Sequence, residues 1–270
     1  MNLYISDLDG TLLNNNAKIS DYTKSTLKEL ISNNLNFSIA TARTPATVVP
    51  ILSDINLKLP VVVMNGAAIY DIEKNEYIKY NSISNQAVEK ILSIFSENKI
   101  SALSYTLSDN HINAYYDKIN NHVEENFIKN RSGSPYKTFI KSKLPKDLNI
   151  LYFLLLHQKE IVLDIYNQVK DIPGISAIAY KDVYNDGFYN LEIYSDKSSK
   201  ANSIKEIMHT FNFDRVISFG DNLNDMPMFE ISDECYAVNN AVQELKDLST
   251  SVIDSNINDG VANYLKSLGL

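Results

Sequence analysis

The sequence predicts an α/β protein with a parallel-sheet core and a smaller α+β domain inserted into it. Three observations carry this. Short apolar runs alternate with helical stretches in the first third, hairpin-like strand pairs replace them in the middle, and the alternation returns in the last third. A chain of 270 residues with 44% hydrophobic content can fill such a core and its companion without covalent staples.

Residues 3–5 read as a short strand, and Ser20 or Asp21 caps a helix in which Leu27, Leu30 and Ile31 share one face. A second strand, 37–40, follows. After TARTP comes another helical stretch, and the β-branched run 61–64 reads as a strand buried on both faces. This β-α-β-α-β order is the pattern of a parallel sheet with right-handed crossovers. From about Ser82 the rhythm changes. Ser84 caps a helix with Val88, Ile91, Leu92 and Phe95 on one stripe, and SALSYTL and HINAYY flank SDN, a hairpin turn. A helix near 119–129, a strand at 150–156, a helix at 161–169 and strands around GISAIAY and FYNLEIY complete the α+β unit. The insert is drawn as residues 82–187, between core segments 1–81 and 188–270. In the last third a helix starts near Ser199, the strand 216–219 runs into GDNLND, and a short strand 236–238 precedes a helix.

A net charge of −8 and a pI near 5.1 argue against a general nucleic-acid surface, because no segment supplies the clustered Lys and Arg that phosphate neutralisation needs. A small phosphate ester remains possible where a cation and one or two placed basic residues reverse the local field. The single Cys235 excludes an intrachain disulfide and a thiolate zinc cluster and fits a reducing compartment. The longest apolar run, 150–156, is far short of the ~20 residues of a membrane helix. A cytoplasmic protein, free of membrane and monomeric, is expected.

In open parallel sheets, ligands bind beyond the carboxyl ends of the strands where the strand order reverses. After the four predicted core strands stand Asp7, Thr41, Asn65 and Asp221, groups that attack, bind metal or hydrogen-bond an anion. Asp, Asn and Thr also favour strand ends and caps for purely local reasons, but the whole set points to a site. Asp7 and Asp9 lie two apart, so both carboxylates can face one site, and their repulsion has a use if a divalent cation absorbs it. Oxygen ligands without His or Cys partners suit Mg²⁺. Two carboxyl groups in different surroundings can also divide into a permanent anion and a proton carrier.

With DLDGTLL, TAR, SSKA and GDNLND in this order, the sequence resembles the haloacid dehalogenase-like hydrolase superfamily. The insert between the second and third motifs makes it similar to the Cof-type branch with a type IIB cap, and MNGAAIYD and INDGVANYL also sit where that branch has similar segments. The resemblance implies a Rossmann-like core and a Mg²⁺-dependent phosphatase acting on a small phosphorylated metabolite such as a sugar phosphate, nucleotide or cofactor phosphate. It implies Asp7 as a nucleophile forming an aspartyl-phosphate, and Asp9 as general acid and then base. Asp7, the backbone carbonyl of Asp9 and Asp221 would hold the metal. Thr41, Lys200, backbone groups at Leu8 and Ala42, and Asn224 would bind the phosphoryl oxygens, while Asp225 would tune the metal or Lys200. Arg43 is open between a substrate contact and an ion pair, and Asn65 is a weaker substrate-binding candidate because Asn-Gly is also a good turn.

Relatives usually show Thr-Gly-Arg where this chain has Thr41-Ala42-Arg43, and commonly Gly where Ala201 follows Lys200; the added methyls are tolerated if the backbone stays at negative φ. A phosphomutase of the same superfamily and a non-catalytic phosphate-binding relative are the alternatives. Tyr105, Tyr115, Tyr116 and Tyr184 in the insert are open between core filling and pocket lining.

Overall fold

The computed structural model describes residues 1–146, 148–182 and 185–269. The chain divides into two compact units, Met1–Lys79 with Ser199–Leu270, and Tyr80–Ser198.

The first unit is built on a five-stranded, all-parallel sheet. From edge to edge its strands are Ser251–Ile253, Glu234–Val238, Arg215–Gly220, Asn2–Ser6 and Phe37–Ile39. Leu3, Ile5, Val216 and Phe219 are almost fully buried, as strands covered on both faces require. The chain runs outward from Asn2–Ser6 to Phe37–Ile39, then returns on the other side at Arg215–Gly220, so the strand order reverses between Asn2–Ser6 and Arg215–Gly220. Asp7 and Asp221 leave the sheet there. The helix Asp21–Ser32 starts at Ser20, whose side chain accepts from the Thr23 amide at 3.0 Å, and it buries Leu27, Leu30 and Ile31.

The β-branched run behaves differently from a further parallel strand. Val61–Val63 touches the main sheet through one parallel bridge between Ala40 and Val62, then pairs antiparallel with Ala68–Asp71, which with Glu76–Tyr80 completes a three-stranded sheet. Met64 and Asn65 at φ 53° and 52°, followed by Gly66 at 89°, reverse the chain between Val61–Val63 and Ala68–Asp71. Sequence periodicity registers the apolar run but not this reversal. The strand Ser251–Ile253 and the helix Gly260–Ser267 also lie beyond the sequence reading.

The second unit carries a six-stranded sheet in the order Ile175–Lys181, Phe188–Ser195, Ile150–Gln158, Leu103–Ser108, His111–Tyr116, Lys137–Lys141. All neighbours are antiparallel except the last pair. The expected hairpin closes at Asp109 and Asn110, both at positive φ, the geometry of a two-residue turn. The helices Asn85–Glu97 and Lys159–Val169 pack Ile91, Phe95, Val162 and Ile165 against Phe153, Leu155, Leu191 and Ile193. On the opposite face, by strand alternation, Tyr105, Tyr152 and Tyr194 stack with centroids 4.1 and 5.0 Å apart. Tyr105 is therefore core filling, Tyr115 and Tyr116 are half-buried, and Tyr184 lies outside the described residues.

The boundary drawn at residue 187 falls elsewhere in the structure. Phe188–Ser195 pairs along its length with Ile150–Gln158 and Ile175–Lys181, so the chain re-enters the first unit at Ser199. Strand-to-strand hydrogen bonding decides this, and apolar alternation does not encode a strand's partner. Among the described residues no helix is long and apolar enough to cross a membrane.

Candidate active site

The site is assembled from segments of the first unit that leave strands or begin helices. Asp7 follows the strand Asn2–Ser6 and its amide still donates to Phe219 O at 2.9 Å, so the parallel ladder itself fixes where the carboxylate begins. The chain then winds tightly through Leu8–Leu12, with Gly10 at φ 78°. A Cβ at Gly10 would lie 2.3 Å from an Asp221 carboxylate oxygen, so a side chain is excluded by close approach as well as by backbone conformation. Thr11 Oγ1 donates to Asp221 Oδ1 at 3.1 Å across the same gap.

Lys200 occupies the first turn of the helix Lys200–Phe211, whose N-cap Ser199 accepts from the Asn202 amide. Its ammonium donates to Asp7 Oδ1 and to Asp225 Oδ1, each at 2.6 Å, and all three side chains are buried. The other oxygen of Asp225 accepts from the amides of Asp221 at 3.0 Å and Asn222 at 3.2 Å. Asp225 thus spends both oxygens on holding Lys200 and the Asp221 turn. Gly220 makes this possible, because a Cβ there would meet the Asp225 carboxylate at 2.7 Å.

Asp9 points elsewhere. Its half-exposed carboxylate receives a two-pronged ion pair from Arg43, Nε to Oδ2 at 2.7 Å and the guanidinium NH2 to Oδ1 at 2.5 Å. Thr41 is fully buried, and its hydroxyl accepts from the Arg43 amide at 3.2 Å, which shapes the turn that aims Arg43. Ala42 and Ala201 both keep negative φ, so neither departure from glycine strains the backbone. Asn65 takes a left-handed conformation with its amide on Thr41 O at 3.0 Å, and Asn224 is exposed on the turn Leu223–Asp225. Leu8 is buried and accepts the Leu13 amide at 2.8 Å. The structure therefore draws Asp7, Lys200, Asp221 and Asp225 together and sets Asp9 with Arg43 beside them.

Burial dominates the electrostatics. It raises Asp7 well above the ordinary carboxylate range; Lys200 opposes this, while Asp225 and Asp221 add to it. Burial, then repulsion from Asp225, pushes Asp221 up to about 7. Carboxylate oxygens of Asp7, Asp221 and Asp225 lie within 4.8 Å of one another. Clustered hard oxygens that repel in a low-dielectric site fit a small divalent cation, and Asp225, engaged on both oxygens, leaves Asp7 and Asp221 as the available donors. Sequence reasoning did not reach Thr11 or Asn240, whose side chains reach Asp221 and the Gly10 carbonyl. Thr11 carried a local signal as part of DGT; Asn240 carried none.

The sequence pattern of the haloacid dehalogenase-like hydrolase family matches residues 4–265. The chain is 25% identical over 284 residues to the 5-amino-6-(5-phospho-D-ribitylamino)uracil phosphatase YwtE of Bacillus subtilis, covering 97% of this chain and 96% of that protein. Its fold is similar to that of a haloacid dehalogenase-like hydrolase from Bacteroides thetaiotaomicron, with a TM-score of 0.81 and 20% identity over 99% of both chains. It is also similar to a subclass IIB sugar phosphatase of the same superfamily, with a TM-score of 0.76 and 19% identity over 100% of this chain and 99% of the other.

Proposed function

Because the chain belongs to the haloacid dehalogenase-like hydrolase family, we propose that it removes phosphate from a small phosphorylated metabolite by way of an aspartyl-phosphate on Asp7, with Mg²⁺ as cofactor. It is a phosphoric monoester hydrolase; the subclass IIB type, the metal, the covalent route and the residue roles are the proposal. The observation that carries it is the buried Lys200 ammonium held at 2.6 Å from both Asp7 and Asp225, at the point where the strand order reverses and Asp221 faces Asp7.

Asp7 attacks phosphorus through a carboxylate oxygen, and the bond to the ester oxygen breaks. The leaving oxygen takes a proton from Asp9, a step that requires one Asp9 oxygen to leave the Arg43 ion pair and carry the proton. Asp9 then accepts a proton from water as that water attacks phosphorus, releasing inorganic phosphate and restoring the Asp7 carboxylate. Lys200 keeps a cationic partner on Asp7 and faces the phosphoryl oxygens, and Thr41, the Leu8 and Ala42 amides and Asn224 add donors. Mg²⁺ held by Asp7, the Asp9 carbonyl and Asp221 would neutralise charge on the phosphoryl group and offset the repulsion between the carboxylates.

The relative that acts on a phosphorylated ribitylaminouracil and the structural relative that is a sugar phosphatase support a polyol or sugar phosphate as the substrate class. Turnover of an aryl phosphate should vanish with a chelator and return with Mg²⁺. Acid-quenched enzyme should carry one added phosphoryl group on the peptide containing Asp7. Full turnover in excess chelator removes the metal from the scheme; an unmodified Asp7 under conditions that trap a phosphoenzyme on another residue removes the nucleophile assignment.

A further inference from the structure

We propose that Asn240, acting with Asn256, is a positioning residue that locks the loop between Asp7 and Leu13. The role presupposes the Asp7 and Asp9 chemistry above. Gly10 is required by its close approach to Asp221, but glycine leaves both flanking peptide planes free to rotate, immediately after the carboxylate that must meet the leaving group. Something outside the loop has to restore its rigidity.

Two asparagines do so. Asn240 Nδ2 donates to the Gly10 carbonyl at 2.8 Å, and Asn256 Nδ2 donates to the Leu13 carbonyl at 2.8 Å. The two are joined, because the Asn256 amide donates to Asn240 Oδ1 at 3.0 Å. Two carbonyls of one loop are thus held three residues apart by a single connected bracket. The segment bearing Asn240 also holds the opposite wall of the site: Val242 N donates to Asp221 O at 2.9 Å, and Ala241 N closes the turn on Val238 O at 2.8 Å. One short turn after the strand Glu234–Val238 therefore sets Gly10, and with it Asp9, relative to Asp221. An amide is needed at position 240, since the bracket uses it as donor and acceptor at once.

The test compares Asn240→Ala, which removes both functions, with Asn240→Asp, which keeps the acceptor for Asn256 and loses the donor to Gly10. Asn240 is exposed, so both variants should fold with melting temperatures close to wild type. Two readouts are taken on the full chain: hydrogen exchange of the peptide spanning residues 8–13, and kcat and KM on an aryl phosphate and on an alkyl phosphate with a poorer leaving group. Exchange in the loop should accelerate in both variants. A catalytic group misplaced by about 1 Å costs roughly 10²-fold, so kcat should fall by up to about that factor with KM little changed, and the alkyl phosphate should suffer more because it depends on Asp9. Unchanged exchange overturns the proposal, as does a lowered melting temperature with kcat within about twofold of wild type on both substrates. Wild-type protein that hydrolyses no phosphate monoester would sink the functional reading instead, and the exchange measurement would still decide whether the bracket rigidifies the loop.

Discussion

Each compact unit of the molecule buries a lysine, and the two lysines meet opposite surroundings. Lys200 in the first unit is 2% exposed and has two carboxylates at 2.6 Å. Burial pulls its pKa down, but Asp225 and Asp7 outweigh burial and hold it above the ordinary lysine value. Lys137 in the second unit is 3% exposed and lies over the rings of Phe139, Tyr105 and Phe127, with no carboxylate ion pair among the described residues. Burial, helped by the nearby Arg131, pushes it down to about 8. Glu124 in the same unit repeats the pattern with the other sign: both Asn120 donors fall on one carboxylate oxygen, the other is buried without a hydrogen-bond partner, and burial pushes the group up to about 7. Where counter-charges outweigh burial, as at Lys200, a buried ion stays charged and can serve an anionic substrate. Where they are missing, burial drives the group toward its neutral form and stability becomes pH-dependent.

The largest effect expected from breaking this contrast is catalytic. Asp7→Asn removes the nucleophile while keeping the side-chain volume, and kcat on an aryl phosphate should fall by roughly 10⁴-fold or more; near-native turnover would show that Lys200 and its carboxylates serve structure alone. Next comes Lys200→Met, which leaves Asp7 and Asp225 buried without their shared cation. It should destabilise the protein by about 3–5 kcal/mol in urea unfolding, and adding Asp225→Asn should recover part of that loss. A change of less than about 1 kcal/mol would mean the cluster is already relaxed by water.

The unpaired groups should give smaller effects that are resolved by pH. Lys137 is depressed in the folded state, so its favourable contribution is complete above the ordinary lysine value of 10.5 and is lost as pH falls through about 8. Lys137→Met should therefore be more stable than wild type near neutrality, and the difference should shrink between pH 8 and 10.5. Stability curves that stay parallel over that range would show that Lys137 keeps its charge when buried. Glu124 is raised, so its contribution is complete below 4.5 and is lost as pH rises through about 7. Glu124→Gln should remove that decline while leaving the Asn120 contacts an oxygen acceptor, and urea midpoints across this interval test it. Its effect should be the smallest of the four, because Asn120 already stabilises the carboxylate in part.

What the sequence determined on its own is local. Asp7, Thr41 and Asp221 were legible because strand-ending apolar runs and the reversal rule of parallel sheets need only neighbouring residues. Ser84 was legible as a cap, Ser20 or Asp21 as alternative caps and Ser199 as near a helix start for the same reason, and each of the three serines accepts a hydrogen bond from the amide three residues on. Tertiary structure decided everything that depends on a partner far along the chain. Arg43, open in the sequence between a substrate contact and an ion pair, is brought by the fold to Asp9, and Lys200 meets a carboxylate 193 residues away. FYNLEIY was legible as a strand of the inserted unit although the boundary was drawn before it, and ladder pairing fixes Phe188–Ser195 within the second unit. Asn240 had no signal at all, since an asparagine after a strand is an ordinary turn residue until a Gly10 carbonyl is placed within reach of its amide. Propensity and periodicity are properties of a few consecutive residues, whereas the partner of a charge, a carbonyl or a strand edge is set by packing of the whole chain.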